Sequence, residues 1–95
     1  CPLNRAMALI GGKWKMQILC SLYNNGPTRY NQLKKALDGV SNTVLANALR
    51  ELEGDGLVHR QEYLEVPVRV EYAITEPCRQ LIPILDALGD WSMAL

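Results

Sequence analysis

The polar side chains between residues 41 and 50 bring amides, hydroxyls and a guanidinium together in one short segment. Asn42, Thr43, Asn47 and Arg50 carry groups that can reach the base edges of a DNA major groove. Ser41 comes immediately before them, where its hydroxyl and the amino end of a helix can meet a phosphate. An ordinary solvated helix face is the alternative interpretation of Asn47 and Arg50.

Three further cations are candidates for contacts with the same nucleic acid. Lys34 and Lys35 precede the polar segment and are placed for contacts with the sugar–phosphate backbone. Arg69 lies near the tip of a predicted hairpin, from which it could enter a minor groove or meet a phosphate. Each signal is weak alone, because charged pairs are usually solvated and Arg69 has Glu65 and Glu71 as neighbouring ion-pair partners.

The three cysteines suggest a reactive thiol at Cys1 rather than a disulfide framework, and an ordinary helix-start residue is the alternative interpretation of Cys1. Cys1 stands at the amino end of a predicted helix, where the helix dipole favours the reactive thiolate. Cys20 lies in an apolar run and is predicted to be a core residue, whereas Cys78 could be buried or exposed. An odd number of widely spaced cysteines without a CxxC motif argues against a disulfide framework or a zinc site. The pattern is typical of a reducing cytoplasm.

Features that resemble catalytic or ligand-binding motifs have simpler interpretations. The segment Gly11-Gly12-Lys13 lacks the spacing of a phosphate-binding loop and follows a helix, so it is predicted to be a helix break. His59 is the only histidine and has no convergent partners in the sequence. Trp14 and Trp91 are predicted to be core and interface anchors. The sequence therefore predicts no catalysis, no cofactor and no metal.

The length and charge distribution favour a small polyanion-binding domain. A chain of 95 residues forms one domain, residues 1–95, with little room for an enclosed catalytic cleft. Its apolar runs are too short to span a membrane, and no secretory signal is visible. Residues 1–50 carry seven Lys or Arg and one acid, whereas residues 51–95 carry three Arg and nine acids. Such asymmetry is a hint of a polyanion partner, although two solvated surfaces would also explain it.

Apolar periodicity and turn residues predict the elements that must position these side chains. Helices are predicted over residues 2–10, 14–23, 31–37 and 42–54, and from residue 76 onwards; an extended segment at 28–30; and strands at 57–64 and 68–75. In the fourth helix Leu45, Ala48, Leu49 and Leu52 form the apolar face. Pro83 is expected to kink the last helix.

This order of elements predicts a winged helix-turn-helix. Two helices joined by the tight turn 38–41 and followed by a two-stranded hairpin have that architecture. The fold class is therefore mainly α with a small antiparallel β-hairpin. Burial of the leucines in the fourth helix would leave its polar edge facing outward.

A set of motifs along nearly the whole chain carries a family resemblance. The motifs are Cys1-Pro2, Ile10-Gly11-Gly12-Lys13-Trp14, Ile18-Leu19, Leu49-Arg50-Glu51-Leu52-Glu53-x-Asp55-Gly56-Leu57-Val58, Val66-Pro67-x-Arg69-Val70-Glu71-Tyr72-x-Ile74-Thr75 and Leu85-x-x-Leu88-x-x-Trp91. Their combination resembles the HxlR-type transcriptional regulators, which are bacterial winged helix proteins related to the MarR group. The resemblance implies a dimeric DNA-binding regulator, often a repressor, with its recognition helix at residues 42–54 and its wing around residues 65–69.

The resemblance also implies a dimer interface and a sensor. It places the interface on the first and last helices, and the candidate contacts are Leu81, Leu85, Leu88 and Trp91. Apolar residues on more than one face of the last helix independently favour burial in a two-fold dimer. Some family members sense electrophiles or oxidants through a cysteine at the position of Cys1. Two alternatives remain open: a winged helix used only for protein–protein interaction, and a small thiol enzyme.

Overall fold

The computed structural model describes residues 1–95 as five helices and one three-stranded sheet. The elements are α1 (Pro2–Ile10), α2 (Lys15–Asn25), β1 (Thr28–Arg29), α3 (Tyr30–Ala36), α4 (Asn42–Gly54), β2 (Val58–Tyr63), β3 (Arg69–Ile74) and α5 (Glu76–Met93). The predicted order of helices and strands is confirmed, and the predicted fold class with it. The boundaries of α1 and α4 are the expected ones, and no other boundary differs by more than two residues.

Helix α4 forms where its sequence predicts it. The Ser41 hydroxyl oxygen accepts a hydrogen bond from the Val44 backbone N–H at 3.1 Å, which satisfies one of the free donors at the helix start. Gly39 turns the chain between α3 and α4 with a φ of 86°, a conformation that glycine adopts without strain. The predicted apolar face is buried and consists of Leu45, Ala48, Leu49 and Leu52.

Helix α2 buries most of its apolar run, but not Cys20. Ile18, Leu19 and Leu22 are fully buried, but Cys20 is exposed, so the prediction of a core cysteine was wrong. The reason is geometric: each residue turns the helix by about 100°, which rotates the side chain after Leu19 away from the core. Tyr23, near the end of the same helix, is 47% exposed.

The sheet places β3 between the other two strands. Its order is β1-β3-β2, with both pairs antiparallel, and Tyr72 of β3 lies opposite Thr28 on one side and Arg60 on the other. Residues 69–73 of β3 are all half-buried, so burial along this strand does not alternate from residue to residue. An ion pair between Arg69 and Glu71 covers the polar side of the strand.

The two terminal helices leave apolar surface uncovered. Helix α5 continues past Pro83 and buries only Cys78 and Ile82 completely. Its 18 residues span about 27 Å at 1.5 Å per residue, and the molecule measures 49 × 25 × 22 Å along its principal axes. In α1 only Ile10 is buried. No helix combines the length and the apolar character that crossing a membrane requires.

Candidate nucleic-acid interface

The outer edge of α4 consists of Thr43, Asn47 and Arg50. These positions follow one another at spacings of four and three residues, so they share a helix face opposite the buried leucines. All three residues are exposed. A guanidinium nitrogen of Arg50, Nη1, donates a hydrogen bond to Oδ1 of Asn47 at 3.0 Å, which ties the two side chains together. The edge is open to solvent, and a helix in this setting can lie in a major groove.

The amino end of α4 is held by its neighbours. The Tyr30 hydroxyl donates to the backbone oxygen of Asn42 at 3.1 Å and lies 3.3 Å from Oδ1 of the same residue. Asn42 therefore sits on the flank that faces α3, with its side-chain oxygen engaged and its NH2 group free. Ser41 accepts from Val44 within the helix cap, and its own hydroxyl hydrogen is left to donate.

The two lysines that are predicted to contact the sugar–phosphate backbone of DNA form no ion pair within the protein. Lys35 is exposed and Lys34 half-buried on α3, and neither has a carboxylate within ion-pair distance. Both cations are therefore electrostatically free to meet a phosphate.

Arg69 has partners of its own. Its Nη1 lies 3.0 Å from Oε2 of Glu71, its Nε lies 3.2 Å from Oε2 of Glu65, and its guanidinium carbon lies 4.0 Å from the centre of the Tyr63 ring. Only 27% of its side chain is exposed. The geometry favours the ion-pair interpretation of Arg69, whose effect is to hold the base of the wing together.

The cysteines occupy three different environments, and all are free thiols. Cys1 is exposed at the start of α1, and Cys20 is exposed on α2. Cys78 is buried; this burial raises the pKa of its thiol, while the positive charge of Arg79 opposes the shift. The Cys78 thiol is therefore neutral at neutral pH and a poor nucleophile. The structure contains no group of three or more His, Cys, Asp or Glu residues that could hold a metal ion.

The predicted dimer contacts fall into two groups. Leu81 and Leu85 are half-buried and pack against the core of their own chain. Leu88 and Trp91, which lie about one and two turns further along α5, are 53% and 61% exposed. In α1, Leu3 and Met7 are 65% and 50% exposed. The ends of both terminal helices thus present apolar side chains to solvent.

A helix pair joined by a tight turn, a hairpin after it and an exposed polar edge on the second helix define a winged helix-turn-helix domain. The model of the HxlR-like helix-turn-helix family matches residues 9–95. The chain therefore belongs to the HxlR-like family. Cys1 lies outside the matched range.

Relatives with this fold are transcriptional regulators. An HTH-type transcriptional regulator of Halalkalibacterium halodurans is 42% identical over 92 residues, which cover 97% of this chain and 81% of the relative. The redox regulator HypR in its oxidized form has a TM-score of 0.90 at 37% identity, covering 100% of this chain and 97% of its own. A MarR-family regulator from Enterococcus faecalis has a TM-score of 0.91 at 41% identity, and the match covers 98% of this chain and 84% of that regulator.

The protein is a DNA-binding transcriptional regulator. The similarities support this function and not the alternative of a winged helix that serves only protein–protein interaction. Members of the family are transcriptional regulators, a class that is typically not enzymatic.

Proposed function

We propose that the protein is a homodimeric repressor that inserts α4 of each protomer into the major groove of a pseudo-palindromic operator. The observation that carries the proposal is the exposed outer edge of α4 (Thr43, Asn47 and Arg50) opposite its buried leucines. The outer edge and the free amide of Asn42 contact bases in this arrangement, and Ser41, Lys34 and Lys35 contact phosphates. The protein would act in the cytoplasm, where the chromosome of a prokaryote lies.

The wing, residues 65–69, is the second proposed contact region. A contact from Arg69 requires its guanidinium to exchange Glu65 or Glu71 for a phosphate oxygen. That exchange leaves a carboxylate unpaired beside the DNA. The wing therefore contributes less than α4 to binding in this proposal.

Selection of bound duplexes from a random pool tests the proposal directly. The expected product is a symmetric site whose half-sites lie about 10 base pairs, or one helical turn, apart, because a two-fold dimer presents two copies of α4. Selection in both reducing and oxidising buffer reports the redox response in the same experiment. A pool that shows no enrichment, or enrichment of a single unrepeated half-site, contradicts the dimeric operator.

The exposed apolar ends of α1 and α5 support a homodimer. Trp91→Ala removes a large aromatic anchor that is 61% exposed in the single chain. If Trp91 is an interface anchor, its loss weakens dimerisation by about 2 kcal/mol or more, which is about 30-fold in the dissociation constant. Sedimentation equilibrium measures the change. Gln80→Ala, at an exposed polar position of the same helix, is the matched control and should leave the dimer intact; equal dissociation constants for wild type and Trp91→Ala would remove α5 from the interface.

We further propose that Cys1 is the thiol through which an oxidant or electrophile alters operator binding. Its exposure and its place at a helix start support the role, and a similar protein, HypR, is described as a redox regulator. Diamide joins two thiols in a disulfide, so a second thiol is needed. Cys20 is the accessible one in this chain, because Cys78 is buried.

Diamide treatment should weaken operator binding by about 5- to 150-fold, the range typical of coupling between two sites. Cys1→Ser should keep its affinity under the same treatment, as measured by fluorescence anisotropy. Cys20→Ser is the comparison variant and shows whether Cys20 is the second thiol. If wild type and Cys1→Ser lose binding equally, Cys1 has no part in the response.

A further inference from the structure

Two clefts open along α4, and none of the residues predicted to contact phosphates lines either of them. In the first, the α4 positions Ala46, Leu49, Arg50 and Glu53 face Arg60 on β2. This hairpin cleft has a volume of about 170 Å³. In the second, other positions of α4 face the segment between α1 and α2, which includes Lys13. This α1–α2 cleft has a volume of about 270 Å³.

The clefts lie on opposite flanks of the helix. The hairpin cleft uses α4 residues 46, 49, 50 and 53, and the α1–α2 cleft uses residues 44, 47, 48 and 51. Each set follows the spacing of one helix stripe, and at 100° per residue the two stripes are about 160° apart. Arg50 borders one cleft and Asn47 the other, and the hydrogen bond between them crosses the exposed ridge that separates the clefts.

The hairpin cleft has a net positive charge. Arg50 and Arg60 face a single acid, Glu53. The only carboxylate within ion-pair distance of Arg60 is that of Glu62, at 3.7 Å, and 40% of the Arg60 side chain is exposed. At this separation and exposure the pair is weak, so Arg60 is available to another anion.

The α1–α2 cleft also has a net positive charge, because Lys13 and Lys15 face a single acid, Glu51. Nζ of Lys15 lies 2.8 Å from Oε2 of Glu51, so these two charges compensate each other. Lys13 is then the uncompensated cation. Its Nζ lies 4.8 Å from the centre of the Trp14 ring and has no carboxylate within ion-pair distance.

We propose that Lys13 and Arg60 each bind a backbone phosphate, one on either side of the major groove that α4 enters. The proposal rests on the proposed function, because it requires α4 to lie in the groove. A major groove about 12 Å wide is bordered by one strand on each side, and a helix with its side chains is about 10–12 Å across. The two phosphate rows therefore lie against the two flanks of the helix. Both clefts are smaller than the roughly 300–1,000 Å³ of small-molecule pockets, which favours single-phosphate contacts.

The salt dependence of DNA binding tests the proposal. Lys13→Gln and Arg60→Gln each remove one charge, and each should make the negative slope of log K against log salt concentration shallower by about 0.9 per protomer bound. The loss of affinity should be equal for operator and unrelated duplexes, because phosphate contacts carry no sequence information. The variant with both changes should show the sum. Arg79→Gln, an exposed arginine on α5, is the matched control and should keep the slope of the wild type.

The possible outcomes distinguish a failure of the phosphate contacts from a failure of the proposed function. A doubly substituted protein that keeps its fold by circular dichroism and keeps the wild-type slope overturns the phosphate contacts while leaving operator binding intact. A loss confined to the operator duplex assigns Lys13 or Arg60 to base contacts and also overturns the proposal. Wild-type protein that binds no duplex with a salt-dependent affinity ends both proposals.

Discussion

Replacing both Asn47 and Arg50 with alanine should remove most of the sequence selectivity of operator binding. Both side chains are exposed on the outer edge of α4 and carry the amide and the guanidinium that pair with base edges. A good bidentate contact provides roughly 1–3 kcal/mol of discrimination, about 5- to 150-fold in affinity. The two side chains share a hydrogen bond, so the effects of the single changes should not add. The measurement is a competition titration of operator against a scrambled duplex.

The matched control for this double change lies on α5. Arg79→Ala with Gln80→Ala also removes one guanidinium and one amide from exposed positions, and it should leave selectivity unchanged. Weak binding to scrambled duplex should survive in the Asn47 and Arg50 variant, because Lys34, Lys35 and the other cations remain. Tight and selective binding by that variant would show that Asn47 and Arg50 do not read the operator.

Leu45→Ala should destabilise the folded protein by about 2–5 kcal/mol. Leu45 is completely buried at the centre of the core face of α4, and its truncation leaves a cavity among well-packed neighbours. A small domain is stable by only about 5–15 kcal/mol, so the loss should lower the thermal midpoint by roughly 10 °C or more. Urea unfolding followed by circular dichroism gives the free energy of unfolding.

Val44→Ala provides the comparison for this change. Val44 is the preceding residue of α4 and is 42% exposed, so its truncation should lower the free energy of unfolding by less than about 1 kcal/mol. The difference in stability between Leu45→Ala and Val44→Ala tests which face of α4 is buried and therefore which face is exposed to solvent. If both variants lost equal stability, the orientation of the helix in the structure would be wrong.

The periodicity of α4 was sufficient to predict which of its faces is buried. Leu45, Ala48, Leu49 and Leu52 recur at helical spacing, and Ser41 supplies the cap, so local chemistry and packing indicate the same rotation. Cys20 shows the opposite case. It continues the apolar run of Ile18 and Leu19, but three consecutive residues span about 200° of a helix and cannot all lie on one face.

The clefts beside α4 could not be predicted from the sequence. Lys13 lies before α2, far from α4 in the sequence, and Arg60 lies on the strand that follows α4. Only the packed fold places them along the two flanks of this helix. For Arg69 the neighbouring acids were visible in the sequence, but their distances to the guanidinium were not. Glu71 lies on the same strand as Arg69 and Glu65 lies in the segment between the strands, so these distances depend on side-chain rotamers and on the path of the turn.

The hydrogen bond between Arg50 and Asn47 also affects the affinity of the protein for its operator. An arginine that is immobilised on binding loses up to roughly 2 kcal/mol of rotamer freedom. Here the guanidinium is already oriented by a neighbour on its own helix, so part of that entropy is given up during folding rather than on association. Such preorganisation strengthens a complex without adding any contact to it.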